Sequence, residues 1–163
     1  MAGLSNTYHY ESAALILATA VYGASFVAGV RLESRLPAIG GPQADLAALT
    51  FGRLWLHNVL SLAPLWAGMV SFGGVTLLWL VFQGLAHGSV VAGSGLPLAA
   101  ALLRLLPHGL FEIAAILLAG AAGLSPGVAL LHDEVAAPWR GLRWLPLWLA
   151  LLAVAALLEG RGA

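Results

Sequence analysis

The chain has 163 residues, 61% of them hydrophobic and only 9% charged, with no net charge. Ordinary soluble domains carry about 25% charged residues, so this composition cannot cover a water-facing surface. The seven basic residues are all arginine and are scattered, leaving no basic stripe to follow a phosphate backbone, so nucleic acid is not an expected partner. The absence of cysteine excludes disulfides, thiolate nucleophiles and Cys-based zinc or iron–sulfur sites.

Long Leu- and Ala-rich runs fill most of the length, and they lack the apolar/polar alternation of barrel strands. With lipid as solvent, every backbone polar group must be paired within its own segment, which leaves helices. The expected class is all-α: a polytopic membrane bundle of about five transmembrane helices, forming a single domain over residues 1–163.

The first span is expected near residues 13–30, with Tyr8, His9 and Tyr10 at an aromatic interface belt and Arg31 marking the opposite face. Glu11 at its mouth, and the lack of any preceding Lys or Arg, favour a retained helix over a signal peptide. A polar connection follows to Thr50, with room for an interfacial helix near Asp45. The apolar stretch from Arg53 to Ala92 is too long for one crossing at about 1.5 Å per residue. Its turn-like break at Ser71-Phe72-Gly73-Gly74 divides it into spans near 53–71 and 74–92. A fourth span near 96–124 is expected to kink or break at Pro107, and a fifth covers about 144–158. Five spans put Arg31, Arg35, Arg53 and Arg161 on one face against Arg140 and Arg143 on the other, leaning towards a cytoplasmic C-terminus in an inner membrane.

Ionisable groups inside such spans are costly, about 2.5–3.5 kcal/mol each on the insertion scale, so each needs a partner, an aqueous cavity or a function. Arg104, His108 and Glu112 are spaced four apart on the fourth span, which sets them along one helical face. His57 and Asn58 on the second span, and Gln83 and His87 on the third, offer further polar faces that could converge in one polar core. Singly, His57, Asn58, Gln83 and His87 read first as interhelical hydrogen-bonding groups, worth about 0.6 kcal/mol each. Glu112 is different, because a carboxylate at that depth is a functional candidate by default. His108 and Glu112 could share a divalent metal only with a third ligand from His57 or His87, and no cofactor is expected. His132, Asp133 and Glu134 read as a solvated loop rather than a metal site. Gly84 and Gly88 make a G-x-x-x-G that permits close helix approach, within the bundle or between protomers.

The run from Leu106 to Glu112, with Pro107, His108 and Gly109, is followed by a small-residue tail from Ile116 to Leu124. Together with Asn58 and Gln83-Gly84, these residues resemble the stage II sporulation protein M family of integral membrane proteins over Phe51 to Gly127. The resemblance implies a P-H-G-x-x-E core and carries over Asn58, Pro107, His108, Gly109 and Glu112. Gln83 departs from an Asn-Gly pair common in the family. In spore formers, the named member holds peptidoglycan-degrading partners at the septal membrane. This chain looks like a shorter relative outside sporulation.

The leading expectation is therefore a non-enzymatic membrane scaffold, homo-oligomeric and engaging other membrane or cell-envelope proteins. A second is an oligomeric permease or channel with His108 and Glu112 lining the path. A third is an intramembrane metal-dependent hydrolase, although no hydrolase or nucleotide-binding signature is present.

Overall fold

The computed structural model describes residues 3–33, 50–132 and 138–159; the expected interfacial helix near Asp45 and the Asp133–Glu134 pair lie outside them. The described chain is helical: α1 (Gly3–Glu33), α2 (Phe51–Leu62), α3 (Gly74–Gly93), α4 (Leu98–Leu130) and α5 (Leu145–Glu159). Two 3-10 segments complete it, Ala63–Met69 after α2 and Pro138–Trp144 before α5.

Four stretches are long and apolar enough to cross a membrane: Tyr10–Glu33, Gly74–Gly93, Leu98–Leu130 and Gly141–Glu159. The second expected span differs from these in its construction. It holds a 12-residue α-helix that passes into seven residues of 3-10 helix at Pro64, a ring favoured at the opening positions of a helix. Because 3-10 helix rises about 2.0 Å per residue, the combined segment reaches about 32 Å, the thickness of a hydrocarbon core. It runs along the bundle, with Ser61 meeting Trp79 and Gln83 of α3 and Leu65 meeting Thr76.

The directions of the helices follow from which residues touch. Gly84 lies against Tyr22 and Phe26, and Gly88 against Phe26 and Val30, so α1 and α3 run parallel. On α4, Gly120 meets Leu80 and Ala18 while Glu112 meets His87, so α4 runs antiparallel to both. α1, α3 and α5 end where α2 and α4 begin, a face marked by Arg31 and Arg53. Arg143 lies at the other face, where its guanidinium donates to Glu11 and sits over the Trp144 ring at 5.1 Å. Arg31 and Arg53 thus lie on one face and Arg143 on the other.

Of the two outcomes expected at Pro107, a kink or a break, the break does not occur. α4 passes through Pro107 and Pro126 as one helix of 33 residues. A transmembrane helix tolerates such rings when neighbours re-satisfy the freed carbonyls. α4 is also the most buried of the spans. Its Ala115, Ile116, Ala119 and Leu124 join Ala14 and Ala18 of α1, Leu80 of α3 and Leu152 of α5 in one apolar core.

The turn into α3 explains the first glycine of the Gly73-Gly74 pair. Phe72 and Gly73 both take positive φ, at 50° and 88°, which a glycine adopts freely and a phenylalanine does not. The reversal is fastened by Thr76, fully buried, whose Oγ1 donates to the Leu65 carbonyl at 2.7 Å. Thr76→Val keeps the shape and removes this bond. It is expected to lower stability by about 1 kcal/mol, read by reversible unfolding in mixed micelles.

Candidate functional site

Small residues pack both halves of the bundle, at Gly68 and Gly123 in one and at Gly29, Gly84 and Gly88 in the other, and the half near the α3 C-terminus also holds His87 and Glu112. The first half of α4 carries His108 and Glu112, and its second half carries the small-residue tail.

In the half near the α3 C-terminus, three helices supply one chain of titratable side chains. Tyr22 of α1 bonds through its hydroxyl to Nδ1 of His87 on α3 at 2.9 Å. Nε2 on the far side of the same ring lies 3.9 Å from Oε1 of Glu112 on α4. The two helices bearing Tyr22 and His87 approach closely because Gly84, Gly88 and Gly29 have no side chain between them. A Cβ at Gly84 or Gly88 would run into the backbone of α1, and one at Gly29 into Leu85 of α3. The G-x-x-x-G motif therefore joins α1 to α3 within one chain.

Other ionisable groups surround the carboxylate. His108 on its own helix, His57 from α2 and Glu159 from α5 all lie within electrostatic reach of Glu112. Each of the five helices thus contributes a titratable side chain, with Tyr22 and His87 counted for α1 and α3.

The residues singled out from sequence fall into three groups. His87, His108 and Glu112 are brought together, each partly buried. Asn58 and Gln83 are buried one layer away: Gln83 Nε2 donates to the Ser61 carbonyl at 3.4 Å, and Ser61 Oγ donates to the Asn58 carbonyl at 3.0 Å. Trp79 Nε1 donates to the same Ser61 carbonyl at 2.7 Å, so this layer ties α2 to α3. His57 and Arg104 are exposed, and Arg104 does not join the core despite sharing its helix with His108 and Glu112. Pro107 is exposed on α4, and Gly109 leaves room for the Leu105 side chain one turn earlier.

Sequence reasoning missed Tyr22, Ser61 and Glu159. Tyr22 carried a usable signal, because a phenol in the middle of a span, away from the interface belts, needs a hydrogen-bond partner. Glu159 lies just past the expected end of the last span, and only the direction of α5 brings it towards Glu112.

Among the described residues no group of three His, Asp or Glu side chains is arranged to hold a metal ion. A cavity of about 220 Å³ lies at the opposite end, lined by Glu11, Leu15, Leu118, Ala122, Gly141 and Trp144, and does not include the Tyr22–His87–Glu112 chain.

A family model described as stage II sporulation protein M matches residues 12–161. No curated protein and no solved structure gives a significant match. The match extends beyond the motif region on both sides, from the first turns of α1 to past the end of α5, so it takes in the partners of Glu112 from all five helices. Spanning nearly the whole chain, and joined to helices long and apolar enough to cross a bilayer, that match makes this multi-pass membrane protein a member of the stage II sporulation protein M family.

Proposed function

We propose that the chain is a non-enzymatic scaffold or assembly protein of the cytoplasmic (inner) membrane, homo-oligomeric, which engages other membrane or cell-envelope proteins. The observation that supports this reading is the pairing of the deep ionisable groups with one another. Tyr22 bonds to His87 where the backbones of α1 and α3 approach closely, and Glu112 of α4 lies 3.9 Å from the same imidazole. Polar groups used in this way fix the relative position of helices, which a docking surface for partners requires.

Glu112→Gln tests it. In a scaffold, the variant loses about 1 kcal/mol of bundle stability and loosens the oligomer, without changing any ion flux. Native mass spectrometry reads the oligomer, proteoliposome flux assays read transport, and elemental analysis reads bound metal. A variant that keeps its oligomer but loses flux overturns the scaffold in favour of the permease. Stoichiometric metal that disappears with the carboxylate would point instead to a metal-dependent hydrolase.

A permease is the second reading, and one observation favours it. A clamp needs one donor and one acceptor, whereas here His57, His108 and Glu159 add three more ionisable groups around Glu112. Such gatherings inside a membrane mark ion and proton pathways. In that reading His108 and Glu112 line a path completed by neighbouring protomers.

A further inference from the structure

We infer that Tyr22, His87 and Glu112 form a proton-binding relay, in which Glu112 takes up one proton from the face that carries Glu159 and the hydrogen bond between His87 and Tyr22 reverses. The inference concerns the polar core described above but does not depend on whether that core serves assembly or transport.

The geometry supplies both ends of the relay. An imidazole has two nitrogens, and when it is neutral one donates while the other accepts. In His87 each nitrogen faces a group able to play either role: a phenol at 2.9 Å on the Nδ1 side and a carboxyl group at 3.9 Å on the Nε2 side. With Glu112 ionised, the stable arrangement has the Tyr22 hydroxyl donating to Nδ1 and the Nε2 hydrogen directed at the carboxylate. When one proton is added to Glu112, the carboxyl O–H becomes a donor to Nε2. The imidazole hydrogen then resides on Nδ1 and is donated to the Tyr22 oxygen. One proton enters from water, the imidazole stays neutral with its hydrogen moved from one nitrogen to the other, and no bond between heavy atoms forms or breaks.

The 3.9 Å separation closes to hydrogen-bond length with a side-chain movement of about 1 Å. His87 and Glu112 each keep 20% of their side-chain surface exposed, which leaves room for that movement. The groups facing Glu112 from the surrounding helices are Tyr22 from α1, His57 from α2, His87 from α3, His108 on α4 itself and Glu159 from α5. Of these, His57 is exposed, and Glu159 is half-buried in the last turn of α5, at the face where that helix ends. Tyr22 lies deeper, in the middle of α1, where its hydroxyl converts the protonation of Glu112 into a change at the contact between α1 and α3.

The test is infrared difference spectroscopy of the full chain in lipid nanodiscs, titrated with pH and repeated with isotope-labelled tyrosine. The proton is the probe. A carboxyl C=O band absent from Glu112→Gln is expected to rise together with a tyrosine ring-mode change absent from Tyr22→Phe, both with one midpoint. The tyrosine change is expected to vanish in Glu112→Gln. In Tyr22→Phe, which preserves the ring and its packing, the Glu112 carboxyl band is expected to remain with a displaced midpoint. The relay is overturned by a tyrosine signal that titrates separately or survives in Glu112→Gln, or by a carboxyl midpoint that Tyr22→Phe leaves in place. Oligomeric mass measured on the same samples separates this result from the fate of the scaffold reading.

Discussion

Gly88→Leu is expected to separate α1 from α3 and to destabilise the bundle by about 3 kcal/mol or more. The first atom of any side chain at this position would strike the Phe26 carbonyl and crowd Val30 N and Gly29 Cα, all backbone. A rotamer change cannot relieve a clash between a Cβ and a main chain, so one helix must move as a body. Overpacking that side chains can absorb typically costs about 1–3 kcal/mol, and this case lies at or above the top of that range. Because Tyr22 is held to His87 across the same interface, the separation also removes that hydrogen bond. Unfolding by SDS titration in mixed micelles reads the stability, and the tyrosine ring mode reads the lost bond. Gly23→Leu is the control, since nothing lies within 4 Å of a Cβ there and its effect is expected to stay small.

How much of this was legible in the sequence depends on the physical range of each interaction. The helical class and the limits of α3 and α5 follow from local composition and turn chemistry, and the sequence carries both. α2 is less legible because its 3-10 continuation depends on Leu65 and Gly68 fitting against Thr76 and Gly123, far along the chain. The effect of Pro107 is open in the sequence for a related reason. Local rules allow proline to kink or break a helix, and only the fold shows that α4 continues through it. His108 and Glu112 were found by their spacing on one helix, but the nearest basic partner of Glu112 is His87. Helical periodicity predicts which residues share a face and gives no information about which faces meet. The G-x-x-x-G motif is the exception, since it marked a close approach and only the identity of the partner was open.

The polar chain and the small-residue packing depend on each other. Ridges without side chains let α1 and α3 come close enough for a phenol on one to reach an imidazole on the other. The same principle holds α4 in register, so that Glu112 meets His87 while Gly120 and Gly123 meet α3 further along. Close packing at one level therefore sets geometry at another. In a bilayer this matters more than in water, because apolar side chains gain little by leaving lipid and helix association rests on close packing and hydrogen bonds.

Gly123→Val carries that dependence to its second expected large effect. A Cβ on Gly123 would collide with the Leu65 carbonyl and with Thr76 Oγ1, the two ends of the hydrogen bond that fastens the 3-10 segment to α3. The substitution thus removes a buried bond and at the same time forces the Ala63–Met69 segment away from α4. A loss of about 3 kcal/mol or more follows, against about 1 kcal/mol for Thr76→Val, which removes the bond alone. The double variant Gly123→Val with Thr76→Ala, which gives space back at the collision, is expected to recover part of the difference, so the two sites are non-additive. Ser61, which ties α2 to Trp79 and Gln83, lies immediately before the displaced segment. The tryptophan emission of Gly123→Val is expected to change as Trp79 loses its acceptor. If unfolding shows the pair to be additive, the 3-10 segment is held mainly by its apolar contacts, and its length in the membrane is set by lipid rather than by Thr76.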